Sequence, residues 1–162
     1  MWFYVEPSDV SFLSRGPFEF NNEAVIAAPP ERVFEIFATG ERQTEWFKDF
    51  VGYRWTSDEP HGVGSRREVE LKMLRVKERF FIWEPGKRMS FSIDAITLPL
   101  VAQMAEDLQF EPSGKGSTWV RWRAVYEPTP MMRLFHPVAR TIFGKMFRAS
   151  LDGLAKYVAR TT

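Results

Sequence analysis

Two carboxylates occupy positions where strand periodicity would place apolar side chains. Glu106 alternates with Met104, Leu108 and Phe110, and Glu78 alternates with Val76, Phe80 and Ile82. Alternate residues of a strand share a face, so both acids are expected to point inward. A carboxylate in such a wall is costly unless it is hydrogen-bonded or neutral, and burial raises its pKa. The chemistry available to it is either a polar anchor for a ligand or one half of an acid/base pair for aldol-type cyclisation. Two structural alternatives stand beside these: strand twist or a bulge turns the acids to solvent, or Arg66 or Arg121 pairs with them. For Glu78 the flanking Lys77 and Arg79 strengthen the alternative.

Around these acids, Trp46, Phe47, Phe91, Met104, Leu108, Trp122, Tyr126, Ile142 and Met146 are candidates for ligand-binding walls, with plain core packing as the alternative. Tyr126 adds a hydroxyl able to move a proton. The two histidines promise less: His61 sits in a Pro-His-Gly turn and reads as solvated, and His136, before Pro137, reads as packing at a helix kink or facing a cavity mouth.

Several chemistries drop out. With no cysteine there is no disulfide, thiolate metal site or cysteine nucleophile, which suits a reducing, cytoplasmic setting. Gly-x-Ser-x-Gly, His-Glu-x-x-His and a phosphate-cradling glycine loop are missing, and no ligand spacing points to a metal or other cofactor. A net charge of +1 gives no field favouring nucleic acid. No run reaches the roughly 20 apolar residues that span a bilayer. The aromatic opening Met1 to Val5 is cut short by Glu6-Pro7 and does not read as a signal peptide.

The elements that must position these residues follow from period. Residues 1–17 show none and read as an arm laid over the surface, with Trp2, Phe3 and Tyr4 as anchors. Residues 18–162 read as a single domain. Phe18 to Ala28 alternates as a strand, stopped by Pro29-Pro30; Val33, Phe34, Ile36 and Phe37 mark a short helix ended by Gly40; Glu41 to Lys48 reads as a second. Six strands separated by turns follow, from Tyr53 to Tyr126, with no helix between them, which argues an antiparallel meander. On one of them Met89, Phe91, Ile93 and Ala95 share a face. A helical period then returns, with Thr129 as N-cap, Pro130 in the first turn, Pro137 bending or interrupting the helix, and Leu134, Val138, Ile142, Met146, Ala149, Gly153 and Tyr157 on one stripe broadened by Phe135, Phe143, Leu151, Leu154 and Val158. Arg133, Arg140, Lys145, Arg148, Lys156 and Arg160 give this helix a basic face, either solvated or in transient contact with an anionic membrane.

Certain segments add a family likeness. Ile26-Ala27-Ala28-Pro29-Pro30-Glu31-Arg32-Val33-Phe34 resembles the strand-to-helix entry of START-like helix-grip domains, the SRPBCC superfamily. Trp46 resembles its recurrent tryptophan, Gly62-Val63-Gly64-Ser65-Arg66 its glycine turn, and Glu84-Pro85-Gly86-Lys87-Arg88-Met89 one of its hairpins. Gly116-Ser117-Thr118-Trp119-Val120-Arg121-Trp122 is similar to its final-strand motif with Ser117 inserted. The bacterial polyketide cyclase/dehydrase and lipid-transport subgroup is the nearest in character. The resemblance implies an α+β fold: a seven-stranded curved antiparallel sheet around a long C-terminal helix, with two short helices after the first strand. It implies a cavity, not a chemistry. The expected function is binding or carriage of a lipid-, polyketide- or isoprenoid-like molecule in a space of about 300–1,000 Å³. A cyclase or dehydratase using Glu106, Glu78 or Tyr126 is the alternative, and a protein-interaction module with a filled core a third. Oligomeric state is left open.

Overall fold

The computed structural model describes residues 1–161. Its elements run β1 (Phe3–Tyr4), α1 (Phe12–Arg15), β2 (Phe18–Ile26), α2 (Pro30–Thr39), α3 (Gln43–Trp46), β3 (Phe50–Trp55), β4 (Arg66–Leu71), β5 (Arg75–Glu84), β6 (Arg88–Ile96), β7 (Val101–Pro112), β8 (Thr118–Pro128), a 3-10 turn (Met132–Leu134) and α4 (His136–Thr161). Seven strands form one antiparallel sheet in the order β2-β8-β7-β6-β5-β4-β3, and β1 joins at β6. The long α4 packs across the inner face, closest to β2 and α3. The helix-grip architecture expected from the alternation of periods is present.

The core lies between that inner face and the helices. Ile26, Phe80, Met89, Ile93, Leu108, Val120, Leu151 and Leu154 are its most enclosed side chains. The helix α2 starts at Pro30, where a missing N–H is harmless, and stops at Gly40, whose φ of 65° gives the left-handed C-cap. Arg32 makes a two-pronged bond to Glu41 at 2.8 and 2.7 Å, and Tyr157 donates to the same carboxylate at 2.6 Å. This cluster ties α2 to α4 and holds the Glu41 carboxyl near pH 2, chiefly through Arg32.

Four expectations need correction. The arm is structured. Its strand β1 fills the gap where β6 and β7 diverge, with Phe3 opposite Ile96 and Glu6 bridged to Gln103. On the outer face Phe12 and Leu13 of α1 bury against Ala105 and Val125. A bulge at Asp94 breaks the β6 alternation, so Ile96 as well as Ile93 reaches the interior. A second bulge, at Phe81, turns Ile82 away and brings Trp83 in against Phe34. Finally, Pro137 does not bend the long helix from within; it lies in the first turn of α4, and the helical run is interrupted just before it, at Phe135, which leaves Met132–Leu134 as a separate 3-10 turn. Thr129 caps the preceding 3-10 turn, its hydroxyl accepting from the Met132 N–H at 3.2 Å, and the Phe135 carbonyl opens α4.

The apolar stripe that faces the sheet lies one residue beside the row that begins Leu134, Val138 and Ile142. His136, Ala139, Phe143, Met146, Phe147, Leu151 and Leu154 face the sheet side, while Leu134, Val138 and Ile142 point outward. No helix among the described residues is long and apolar enough to cross a membrane.

Candidate functional site

A cavity of about 120 Å³ lies between the inner sheet face and α4. This is narrower than the roughly 300–1,000 Å³ of well-formed small-molecule sites. It follows β7 and β8 from the Leu108–Trp122 pair to the Val101–Pro128 pair, about 20 Å at the usual rise per strand residue. Apolar side chains make up nearly all of its wall. They include Phe20, Phe37, Leu71, Val76 and Ile96 from the strands and α2, Leu74 from the β4–β5 turn, and Met132, Ala139 and Phe143 from the 3-10 turn and α4.

The candidates divide clearly. Glu106, Glu78, Phe47, Phe91, Met104, Leu108, Trp122, Tyr126 and Met146 all line this space. Trp46 and Ile142 do not. Trp46 is 3% exposed, packed on Phe37, with its indole N–H donated to the Glu41 carbonyl at 3.0 Å. Ile142 is 49% exposed on the outer side of α4, because the adjacent stripe of Phe143, Phe147, Leu151 and Leu154 is the one that packs on the sheet.

One group of polar residues sits in the apolar wall, and the sheet register assembles it. Arg67 on β4 stands directly opposite Glu78 on β5, and its Nε donates to Glu78 Oε2 at 2.5 Å. The arginine, not Arg66 or Arg121, is the partner of Glu78. Its guanidinium also reaches the Phe37 carbonyl at 3.5 Å and lies over the rings of Phe80 and Phe91. On β7, Glu106 accepts from Trp122 Nε1 at 2.8 Å. Burial is the main cause raising the Glu106 pKa to about 8; the Glu78 charge adds to it, and Trp122 and Arg67 oppose it. Burial also pushes Glu78 up, against the pull of Arg67. Arginine keeps its proton, so Arg67 faces two carboxyls whose protons burial holds on above the ordinary range, Glu106 to about pH 8.

Gln43 of α3 completes this end. It is buried, it lines the cavity, and its Oε1 has no hydrogen-bond partner. Near the α4 end of the cavity, Tyr126 Oη and His136 Nε2 lie 2.7 Å apart, with the Phe18 ring 4.3 Å from the imidazole. Burial raises the Tyr126 pKa. His61 is not freely solvated: its ring stacks on Trp55 at 3.8 Å. No three His, Cys, Asp or Glu side chains among the described residues gather so as to hold a metal ion.

Sequence reasoning passed over Arg67 and Gln43. For Arg67 the signal was present, since it alternates with Val69 and Leu71, both inward. For Gln43 there was none, because a four-residue helix has too little period to assign a face.

Residues 17–159 match the model of the polyketide cyclase / dehydrase and lipid transport family. The chain belongs to that family. An uncharacterized protein of Mycobacterium tuberculosis is 31% identical over 143 residues, 86% of each chain. Among solved structures, an aromatase/cyclase from Streptomyces superposes with a TM-score of 0.74 at 11% identity, covering 88% of this chain and 94% of its own. A START superfamily protein from Mycobacterium smegmatis gives 0.68 at 13%, covering 89% and 99%. A Thermus thermophilus protein gives 0.71 at 23%, covering 90% and 100%. At these identities the structural likenesses establish a shared fold. Family and fold alike fit hydrophobic ligand binding.

Proposed function

We propose that the protein binds and carries an apolar small molecule, lipid-, polyketide- or isoprenoid-like, in the cavity beneath α4. One observation carries the reading: a largely apolar channel with a few polar groups, Arg67, Glu78, Glu106 and Gln43 at one end and Tyr126 with His136 at the other, the usual composition of a binding site for such molecules. Burying a ten-carbon chain would gain roughly 8 kcal/mol before association costs, at about 0.8 per methylene. The narrow volume means the wall must yield on binding, and Met104, Met132 and Met146 supply side chains that adapt easily. Mass spectrometry of organic extracts from the purified protein, with titration of the neutral dye N-phenyl-1-naphthylamine, tests this. A co-purifying apolar molecule, or dye binding abolished by Ala139→Trp, is the expected result. An empty extract with no dye binding would overturn the reading.

The surface beside the cavity supports loading from an anionic membrane. Met131, Leu134, Phe135, Val138 and Ile142 are exposed together, Leu134 at 80%, among the exposed Arg133, Arg140 and Lys145. Apolar side chains within a basic face bind anionic bilayers by burial and by charge. The protein should sediment with phosphatidylglycerol vesicles and not with phosphatidylcholine vesicles, and Leu134→Glu with Phe135→Glu should release it. Equal sedimentation of the doubly substituted protein would remove this part of the reading.

A second reading, a cyclase or dehydratase in the same cavity, is favoured by one observation. A carboxyl that keeps its proton to about pH 8 beside an apolar channel has the form of a general acid. Glu106→Gln decides between the two. A carrier would keep its affinity within about 1–3 kcal/mol, whereas an enzyme would keep binding and lose turnover by roughly 10²–10⁴-fold.

A further inference from the structure

We infer that the Glu106–Gln43 end of the cavity recognises a neutral hydroxyl, as on a long-chain alcohol or sterol-like molecule, and excludes carboxylates. The inference rests on the apolar-ligand reading and adds the class of ligand. Its basis is the hydrogen-bonding inventory of that end of the cavity. Arg67 is the only cation there and is already engaged by Glu78 and the Phe37 carbonyl. Aromatic rings flank its guanidinium, including Tyr53 and Trp55. No free positive charge is left at this end to meet an anion; Arg140 lines the opposite end, near Tyr126. A carboxylate placed at the Gln43 end would be desolvated beside the Glu78 carboxyl with no free cation to offset the cost.

What the site leaves open is one acceptor and one carboxyl. Gln43 Oε1 is buried without a donor, and an unmet buried acceptor is an uncommon feature that a ligand donor would satisfy. Gln43 lies one helical turn before Phe47, whose ring meets Trp122 at 5.4 Å, and Trp122 holds one oxygen of Glu106. The Gln43 acceptor and the Glu106 carboxyl therefore flank the same aromatic pair. A hydroxyl suits both at once, donating to Gln43 and accepting from the protonated carboxyl. An ether or ketone can only accept, and a carboxylate cannot donate at all.

Three ten-carbon probes separate the possibilities: decan-1-ol, decane and decanoate, each competed against N-phenyl-1-naphthylamine at neutral pH. Decan-1-ol should bind at least about tenfold more tightly than decane, as expected for one well-made buried hydrogen bond, and decanoate should bind more weakly than either. Gln43→Leu should narrow the gap between decan-1-ol and decane while leaving decane unchanged, Gln43→Leu combined with Glu106→Leu should close it, and Glu106→Gln, which keeps a donor, should preserve the preference for the alcohol. Decanoate binding as well as decan-1-ol, or decan-1-ol binding no better than decane, would overturn the inference and leave the apolar cavity standing. If none of the probes nor the dye binds the unsubstituted protein, the carrier reading fails and this inference with it.

Discussion

Trp122 donates its indole N–H to Glu106 at 2.8 Å, diagonally across the β7–β8 pair, since Trp122 stands opposite Leu108 and Glu106 opposite Ala124. The bond holds one carboxyl oxygen against the sheet and turns the other towards the cavity. It also links an acid whose pKa burial raises to about 8 to an aromatic side chain packed on Phe37 and Phe147.

Stability should therefore depend on pH through Glu106. Folded, it loses its proton near pH 8; its ordinary value is 4.5. Between those values the native state holds a proton that the unfolded chain has released, so stability falls as pH rises through that window and levels off above it. The slope from this one group reaches roughly 1.4 kcal/mol per pH unit. Glu106→Gln should flatten that part of the profile. Denaturant titrations of both proteins at several pH values check it, and parallel profiles would contradict the assignment.

The Arg67–Glu78 pair should be far more damaging to break than to replace. Both side chains are 6% exposed. Arg67→Ala leaves an uncompensated buried carboxylate and is expected to cost about 3–5 kcal/mol. Arg67→Met combined with Glu78→Leu should recover most of that loss. A double-mutant cycle in chemical denaturation measures the difference.

Gly153 is required for closeness, not for flexibility. A Cβ there would stand 2.4 Å from the Trp46 carbonyl oxygen, where α4 crosses α3. Backbone cannot yield as a side chain can, so Gly153→Ala should destabilise by about 1–3 kcal/mol despite its better helix propensity. Thermal melts will show it as a lowered Tm; an unchanged or raised Tm would mean the crossing relaxes freely.

On the outer face, Phe12→Ala should cost about 3–5 kcal/mol, as expected for a large side chain that is 1% exposed. The same substitution should leave dye binding in the cavity nearly intact, because Phe12 packs against Ala105 and Val125 on the opposite side of the sheet.

The sheet was legible because alternation determines which face a residue takes. Met104, Glu106, Leu108 and Phe110 turn inward as their spacing implied, and the outward Asp107 is met by Arg88 and Ser90. Alternation carries no mark for a bulge, so Ile96 and Trp83 were missed and Ile82 misplaced. The error at Ile142 has a different cause: Ile142, Met146 and Tyr157 lie beside a second apolar row, Phe143, Phe147, Leu151, Leu154 and Val158, and a helical period alone does not say which of two neighbouring rows packs on the sheet. Nor could the arm be read from period, since a two-residue strand and a four-residue helix are too short to display one.

The position of that arm has a consequence for the order in which the molecule is built. Ser8 takes its partners from Ser92 and Met104, 84 and 96 residues further along the chain. Val5 packs on Leu74 and Ile96, which themselves line the cavity. Val5 and Ser8 thus have no place to dock until β6 and β7 exist, and contacts so distant in sequence form late. The segment that carries them closes a seam in the wall, and the cavity acquires its final shape when residues 3–8 settle against the middle of the sheet.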